Sequence, residues 1–469
     1  MRTERDSMGE MTVPADALYG ASTQRAVLNF PISGHPLPAA FIRGLGRVKG
    51  ACAAVNEELG LLPPDKSRLI QQVAAEMAAG RHLEHFPIDV FQTGSATSTN
   101  MNANEVIANR ASQLAGEAIG SRRPVHPNDD VNLGQSSNDI IPTVLHVSVA
   151  IELRDHLRPA LVHLASALEV KAASFSSIVK IGRTHLMDAT PLTLGQEFSG
   201  YAMQVTKAVE RTDRAIAALG ELAVGGTAVG TGLNCHPAFA AAVSARLSAE
   251  TGIAFREARN HFEAQGGRDD IVEAAGQLTA IAAGLTKIAS DIRLLGSGPR
   301  SGLGEIRLPA TQPGSSIMPG KVNPVMSEML IQVCIYTQGL AQTVAICGRD
   351  GHFELNVTLP LMAHAMHEAV RCLANGARVF ADACVAGIEA DEARCRELME
   401  RSLMLVTALN PFIGYDQAAA VAKEAFATGR TLREVVLAKG LMDAAALDRA
   451  LDPLAMTKPG ASAPGAGGG

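Results

Sequence analysis

Residues 271–295 read IVEAAGQLTAIAAGLTKIASDIRLL, and this stretch carries a regular apolar stripe. After a first step of seven, isoleucine or leucine recurs every three or four residues, which is the spacing of one face of an α-helix. The stripe consists of Ile271, Leu278, Ile281, Leu285, Ile288, Ile292 and Leu295. The stretch therefore predicts one long amphipathic helix.

Two further stripes with the same spacing lie on either side of this helix. One consists of Leu145, Val149, Leu153, Leu157, Leu161, Leu164 and Leu168, and we expect it to bend at Pro159. The other consists of Met329, Val333, Tyr336, Leu340 and Val344. Three such helices in the middle third of the chain predict an all-α fold with a central long-helix bundle.

The composition agrees with a core made of helices. Hydrophobic residues make up 47% of the 469 residues, but aromatic residues only 4%, and there is no Trp. Small and branched aliphatic side chains must therefore fill the interior, which suits closely packed helices. At this length we expect roughly two to four packed units.

Charge and cysteine content exclude several kinds of partner. A net charge of -6 provides no basic field for a nucleic acid. The seven cysteines are scattered without a C-x-x-C pair, which indicates a reducing compartment and no zinc or iron–sulfur site. The N-terminus lacks the apolar segment of a signal peptide, and charges interrupt every apolar run before the ~20 residues of a membrane span. We expect a cytoplasmic protein without membrane association, metal or cofactor.

Changes of pattern divide the chain into three predicted domains and a tail. Residues 1–136 mix short helical patterns with turns, residues 137–360 hold the long stripes, and residues 361–456 contain shorter helical segments. The end of the chain has no apolar residues to bury, so we expect residues 457–469 to form a disordered tail.

The most informative short segment is GSSIMPGKVNP at residues 314–324. It places two hydroxyls, a cation and an amide ahead of a helix expected to begin near Pro324. The backbone N–H groups and the dipole of that helix would add to these donors. The residues alone favour an anion-binding loop and a mobile surface loop equally. The Gly-rich run at residues 225–232 lacks the spacing of a dinucleotide motif, so nucleotide binding is rejected.

Segment 314–324 resembles the signature of the fumarase/aspartase superfamily, and the resemblance covers nearly the whole chain except its tail. Other matching segments are TERD at 3–6, VPAD at 13–16, NMNANEVIANR at 100–110, HPNDDVN at 126–132, QSSND at 135–139, GRTH at 182–185, GGTAVGTGLN at 225–234 and FELNV at 353–357. The chain looks like a class II, metal-independent fumarase. This resemblance implies a three-domain subunit, a small dicarboxylate substrate such as fumarate or L-malate, and a homotetramer with composite active sites.

The resemblance also implies roles for individual residues. Ser315 matches the catalytic base, a serine that acts as an alkoxide. Because an unassisted serine is a weak base, backbone N–H groups and Lys321 would have to stabilise its oxyanion. Lys321 and Asn323 match donors for the charge that builds on the substrate carboxylate. His185 and Glu328 match the paired residues that act on the leaving hydroxyl.

Further positions match the family's contacts to substrate carboxylates: Ser95, Ala96, Thr97, Ser136, Ser137, Asn138, Thr184, Ser316 and Val322. Taken singly, Ser, Thr and Asn at turns are more often helix caps, but their joint placement favours a composite site. A second carboxylate site outside the catalytic pocket is implied at Arg123, His126, Pro127, Asn128 and Asp129. From its residues alone that segment is equally well a turn capped by Asn or Asp at the start of a helix.

Two places depart from the family's pattern. Ala96 stands where a glycine is usual, and a positive φ there would strain the backbone. Leu340 and Ala341 replace an Asn-Asp pair, which we expect to affect packing or subunit contacts rather than chemistry. Two other functions stay open, namely an aspartate ammonia-lyase with the same serine loop and a catalytically silent structural relative. Gly320 before Lys321 and the segment FELNV favour the fumarase.

Overall fold

The computed structural model describes residues 1–459, which fall into two compact units. The first unit contains residues 1–160, 208–283 and 332–375, and the second contains residues 161–207, 284–331 and those from 376 onward. The helices are α1 (Ala21–Asn29), α2 (Ala39–Glu58), α3 (Pro64–Ala78), α4 (Thr97–Leu114), α5 (Ser137–Glu152), α6 (Arg158–Ser174), α7 (Leu194–Ala218), α8 (Phe239–Thr251), α9 (His261–Gly266), α10 (Asp269–Leu295), α11 (Val325–Arg349), α12 (Leu359–Ala383), α13 (Glu392–Arg401), α14 (Asn410–Ile413), α15 (Tyr415–Thr428), α16 (Leu432–Ala438) and α17 (Ala444–Ala450).

The strands are short and pair two by two. They are β1 (Arg2–Asp6), β2 (Gly9–Val13), β3 (Val179–Thr184), β4 (Met187–Thr193), β5 (Glu221–Leu222), β6 (Arg256–Glu257), β7 (Ile306–Arg307), β8 (Gly351–His352), β9 (Leu355–Asn356) and β10 (Glu389–Ala390). Only β5 and β6 run parallel among these pairs; β1–β2, β3–β4, β7–β10 and β8–β9 are antiparallel. No strand pair extends into a larger sheet within the described residues, which agrees with the predicted all-α class.

The core of the first unit forms where α2 packs against α3, α5 and α8. Gly46 permits the close approach of α2 to α3, because a Cβ atom at this position would lie 2.8 Å from the Ala74 carbonyl oxygen. Fully buried side chains such as Phe41, Leu45 and Ile70 fill this interface. Close helix packing through small residues is what a core with few aromatic residues requires.

The second unit has two apolar centres. Phe198 of α7 packs edge-on against Phe175 and Tyr201, beside the β3–β4 hairpin. Towards the C-terminus, α15, α16 and α17 pack around the buried side chains of Leu409, Val421, Val435, Val436 and Leu447. The predicted shorter helices are present from α13 onward, but residues 359–383 form the 25-residue helix α12, which is as long as α11.

Two of the predicted long helices form as expected in extent. The stripe at residues 271–295 lies in α10, and its side chains are buried. The stripe that begins at Leu145 forms α5 and α6, joined by a π-helical turn at Leu153–Leu157. Pro159 follows directly after that turn. Since proline has no N–H, the regular i→i−4 ladder is interrupted there, as expected for a bend.

Helix α11 confirms the third stripe in extent but not in its face. The predicted Tyr336 is 48% exposed, and the buried face lies one residue further along, at Leu330, Cys334, Thr337, Ala341 and Val344. The prediction failed because apolar residues lie on more than one side of α11, so periodicity alone does not fix which side is inward. Ala341, one of the two departures from the family's pattern, lies on the buried face.

Helix α11 is also the one helix among residues 1–459 that is long and apolar enough to cross a membrane. Its most apolar window has a mean hydropathy of 1.4, and a third of that window is buried inside the chain. Core helices of soluble proteins meet the same two criteria, so length and composition do not identify a membrane span.

The predicted domain boundaries near residues 136 and 360 stay predictions. Of the predicted tail, residues 460–469 lie outside the described residues. Thr457 closes a 3-10 turn, and its carbonyl oxygen accepts a hydrogen bond from the Gln196 side chain at 2.9 Å.

Candidate active site

Hydroxyl side chains from two predicted segments meet in the first unit, at the starts of α4 and α5. The side-chain oxygen atoms of Ser95 and Thr97 lie 2.8 Å apart, and that of Thr97 lies 2.7 Å from Ser137 Oγ. Asn138 Nδ2 extends the group by donating to the Ala228 carbonyl oxygen at 2.9 Å. The structure therefore brings together residues that the resemblance assigned to carboxylate binding.

Ala96 lies at the N-cap of α4 with a φ of 54° and a ψ of 28°, and it is fully buried. This is the left-handed region that glycine adopts readily, and an L-residue there carries a cost of roughly 1–2 kcal/mol. Ala96, which departs from the family's pattern, therefore has the positive φ that strains the backbone. The backbone N–H of Ala96 donates to the Thr93 carbonyl oxygen at 2.7 Å, which helps to hold this conformation.

The loop before α4 is supported from behind by the segment FELNV at 353–357. A Cβ atom on Gly94 would overlap the Val357 carbonyl group, so only glycine permits this approach. The Leu359 N–H donates to the Gly94 carbonyl oxygen at 3.0 Å, and Asn356 Nδ2 donates to the Cys347 carbonyl oxygen at 2.8 Å. The segment 353–357 therefore positions the loop that carries Ser95 and Thr97.

Asp139 ties the start of α5 to the Gly-rich run at residues 225–232. Its fully buried carboxylate accepts hydrogen bonds from the backbone N–H groups of Ser136 at 2.9 Å, Gly225 at 2.9 Å and Thr227 at 3.1 Å. The Ser136 side chain in return accepts a hydrogen bond from the backbone N–H of Asp139, which completes a capping box. Burial raises the pKa of Asp139 to about 6, although the three N–H groups and nearby Lys49 act to lower it.

Lys49 is a fully buried cation that contacts the turn before α5. Its Nζ atom donates to Asn132 Oδ1 and to Gln135 Oε1, both at 3.0 Å. Burial lowers the pKa of Lys49 to about 8. Asn100 also donates to Asn132 Oδ1, at 3.1 Å. These contacts fix the turn that leads into the residues at the start of α5.

The serine loop lies in the second unit, directly before α11. Ser315 Oγ accepts hydrogen bonds from the backbone N–H groups of Ile317 at 3.3 Å and Met318 at 3.1 Å. Asn323 Nδ2 donates to the Gly314 carbonyl oxygen at 2.6 Å, which closes the loop across its base. Two N–H groups that converge on one oxygen are the arrangement that stabilises an oxyanion.

The remaining side chains of this loop are more open. Ser316, Lys321 and Val322 are exposed, and Glu328 lies in the first turn of α11, which begins at Val325 as predicted. Their assigned roles stay predictions.

His185 lies at the tip of the β3–β4 hairpin, also in the second unit. His185 and Leu186 both have positive φ values, of 55° and 62°, and the side chain of His185 is exposed with that of Thr184. The strand before the tip is fixed by Arg183, which forms two hydrogen bonds of 2.8 Å with the buried carboxylate of Glu305. A paired carboxylate thus holds the backbone from which the histidine extends.

The segment assigned to a second carboxylate site forms a π-helical turn at Pro127–Val131. The expected Asn or Asp cap is absent; instead His126 Nδ1 accepts from the backbone N–H groups of Asn128 at 3.3 Å and Asp129 at 3.1 Å. An accepting Nδ1 requires the ring proton on Nε2. Arg123 does not join this group in the single chain, since its side chain is 76% exposed with Glu117 at 4.0 Å.

Sequence reasoning missed the residues that support the site rather than form it. Asp139 and Lys49 are fully buried charges, and Glu305 is another. One signal was available, because Asp139 follows Ser136 at the spacing of a capping box. Lys49 follows Arg43 and Arg47 in α2, so the sequence suggests one more exposed basic position.

Comparison with known proteins agrees with this geometry. Residues 9–339 match a family model described as Lyase, and residues 405–458 match one described as Fumarase C C-terminus. The class II fumarate hydratase of Chromobacterium violaceum is 53% identical, with 97% of this chain and 98% of that protein covered. The one of Mycobacterium tuberculosis is also 53% identical, covering 97% and 96%. This chain belongs to the class II fumarate hydratase family.

Solved structures agree with that family. The crystal structure of a class II fumarase from Schistosoma mansoni superimposes with a TM-score of 0.95 at 39% identity, over 98% of this chain and 99% of that one. The resemblance seen in the sequence is therefore confirmed, as is the all-α fold. A class II fumarate hydratase is a lyase, so the chain is identified as an enzyme of that family.

Gly94 offers a direct test of how the loop before α4 is supported. We expect Gly94→Ala to lower the free energy of unfolding by about 2 kcal/mol or more, because its methyl group would overlap the Val357 carbonyl group. Binding of a dicarboxylate should weaken in the same variant. Denaturant unfolding and equilibrium titration measure the two effects.

The matched control is Gly200→Ala in α7, where the added methyl group meets no atom within 4 Å. That variant should be as stable as the parent chain or up to ~1 kcal/mol more stable. Equal stability of the two variants would show that Gly94 has no special role.

Proposed function

We propose that this chain catalyses the reversible hydration of fumarate to L-malate, in keeping with its relatives, which are named fumarate hydratases. The observation that carries the proposal is the oxyanion arrangement around Ser315, whose Oγ accepts two backbone N–H groups. Such donors stabilise an alkoxide and so make serine a usable base.

In the dehydration direction, Ser315 Oγ removes a proton from C3 of malate. The electron pair of that C–H bond moves onto the adjacent carboxylate and forms an aci-carboxylate. The hydroxyl at C2 then leaves with a proton supplied by His185 and Glu328, and water and fumarate result. Lys321 and Asn323, with the N-terminus of α11, supply positive potential for the extra charge. The proposed steps need no metal or redox cofactor.

The hydroxyl cluster of the first unit would bind the substrate carboxylates. Ser95, Thr97 and Ser137 form one group linked at 2.7–2.8 Å. Ser136 caps α5 beside this group. In the second unit, Ser316 lies next to Ser315, and Thr184 is exposed beside His185. Hydroxyl and amide groups donate hydrogen bonds, and the two oxygens of a carboxylate accept them.

We further propose a homotetramer with composite active sites. The outer face of α11 carries Ile335, Tyr336 and Ile346, which are 62%, 48% and 42% exposed in the single chain. A helix with apolar residues on more than one side is normally buried, so a second copy of the chain is expected to cover this face. The exposed His185 and Lys321 need the same cover, because a serine base requires exclusion of water. A cytoplasmic location remains our expectation.

The second carboxylate site is proposed at His126 on the basis of its ring. With Nδ1 accepting from two backbone N–H groups, Nε2–H points away from the turn and can donate to a carboxylate oxygen. Asn128 and Asp129 follow in the same turn, and Arg123 is exposed nearby in sequence. This site would bind a dicarboxylate without taking part in turnover.

The first prediction of this proposal concerns the base. We expect Ser315→Ala to lower kcat by at least ~10²-fold with little change in KM, since the lost interaction forms as the proton leaves. Lys321→Ala should affect both constants, because Lys321 also attracts the bound carboxylate. Malate turnover, followed by the ultraviolet absorption of fumarate, gives both values. Ser316→Ala is the control for loop disruption; if it abolished turnover while Ser315→Ala did not, Ser315 would not be the base.

The second prediction concerns assembly. Ile335→Asp should convert the tetramer to smaller species and remove most activity, because the interface would have to bury an unpaired carboxylate. Leu28→Asp is the control, since Leu28 is equally exposed at 62% but lies in α1. Sedimentation velocity at assay concentration measures both. Active monomers of the parent chain would disprove composite sites.

The third prediction concerns His126. His126→Ala and His126→Asn should both leave most turnover intact and both lose the outer dicarboxylate, because neither keeps the Nε2–H donor. Only the alanine variant should lose about 1 kcal/mol of stability, since Asn can still cap the turn. Titration of fumarate onto the Ser315→Ala background should fall from two sites per chain to one. A drop in kcat as large as that of His185→Ala would contradict a separate site.

A further inference from the structure

The turn that follows α3 places two imidazoles and a carboxylate together. One ligand atom from each of His82, Glu84 and His85 lies within 4.8 Å of the other two. His82 has a φ of 67°, and a 3-10 turn at Leu83–His85 follows it. Strained backbone of this kind in a non-glycine residue persists only where the surroundings fix it, and it concentrates at functional sites.

His82 is held by the buried carboxylate of Glu76. Its Nε2 atom lies 2.6 Å from Glu76 Oε2, and the side chain of Glu76 is only 6% exposed. Arg110 Nε donates to the same oxygen at 3.1 Å, which keeps that carboxylate ionised and in place. Because a carboxylate accepts the Nε2 proton, the neutral ring carries its lone pair on Nδ1. Metal-binding histidines are oriented in this way by a second carboxylate.

His85 is the second imidazole of the group. Its carbonyl oxygen accepts from Asn102 Nδ2 at 2.9 Å, which fixes its backbone. His85 Nε2 lies 3.5 Å from Glu84 Oε1. The Leu18 N–H donates to His85 Nδ1 at 3.4 Å, which is a long contact. Metal binding at Nε2 would move the ring proton to Nδ1, and this contact would be lost.

Glu84 can close the group without disturbing the core. Its side chain is 70% exposed and can rotate towards the two rings. Ligand atoms around a zinc ion lie about 2.0–2.2 Å from the metal, so the three side chains must draw closer than in the empty arrangement. Rotation of one exposed carboxylate and small movements of two rings achieve this.

We propose that His82, Glu84 and His85 form a binding site for a divalent first-row transition ion such as Zn²⁺ or Co²⁺, with water as the remaining ligand. Two imidazoles and one carboxylate favour these ions over Mg²⁺ or Ca²⁺, which prefer oxygen ligands alone. The bound ion would brace the turn at residues 82–85, which lies between α3 and the segment that leads towards Ser95. The site is separate from the residues proposed for catalysis, so it stabilises this part of the chain rather than serving the hydration step.

The test uses the full chain without a histidine tag, stripped of metal and titrated with Co²⁺. We expect one equivalent per chain, with visible absorption bands of nitrogen and oxygen ligation and a higher melting temperature. Glu84→Gln and His82→Asn should each weaken binding by about tenfold or more. Both variants should fold, since Glu84 is exposed and Asn tolerates the positive φ of residue 82.

The matched controls are His163→Gln and Glu389→Gln, whose side chains are 52% and 71% exposed elsewhere in the chain. Both should bind Co²⁺ like the parent protein. Exhaustive chelation should lower the melting temperature and leave kcat unchanged. Unaltered binding in Glu84→Gln and His82→Asn, the absence of a stoichiometric site, or loss of turnover on chelation would overturn the proposal.

Discussion

The three hydrogen bonds from backbone N–H groups to the Asp139 carboxylate are the interaction on which the first unit depends. They join the start of α5 to the Gly-rich run at residues 225–232 through a side chain that has no access to water. A buried carboxylate without such donors would carry a large desolvation cost. With them, two irregular segments are held at fixed positions where Ser136 and Asn138 can meet a ligand.

Lys49 is the electrostatic partner of this arrangement. It is fully buried, and its Nζ atom donates hydrogen bonds to Asn132 and Gln135 in the turn that precedes Ser136. Each of the two buried charges lowers the cost of the other, and neither needs to touch substrate. In the second unit, the hydrogen-bonded pair of Arg183 and buried Glu305 likewise supports the turn that carries His185. The hydroxyl cluster and His185 thus lie on loops and at helix starts, while buried charges and capped helices fix the ends of those loops.

Periodicity predicted α5–α6, α10 and α11, because apolar side chains at steps of three and four favour a helix, but α7 and α12, each 25 residues long, were not predicted. It could not orient α11, where apolar residues lie on more than one side and burial is decided by neighbours. It also gave no sign of the π-helical turn at Leu153–Leu157, which depends on the ladder interruption near Pro159. The serine loop was recognised through resemblance, since its composition alone was compatible with a mobile surface loop. The support from Asp139, Lys49 and Glu305 escaped prediction because it depends on contacts between residues far apart in sequence.

Ala96 shows how a site can depart from a family's pattern without losing its geometry. Its left-handed conformation costs about 1–2 kcal/mol that a glycine would not carry, yet the Ser95 and Thr97 side chains on either side remain 2.8 Å apart. The surroundings must therefore supply more than that energy, and two contacts on the same loop do so. The Leu359 N–H donates to the Gly94 carbonyl oxygen, and the Ala96 N–H donates to Thr93. Because the methyl group is fully buried, it also adds apolar contact that partly offsets the strain. The positions of the Ser95 and Thr97 side chains are thus set by the backbone around the loop.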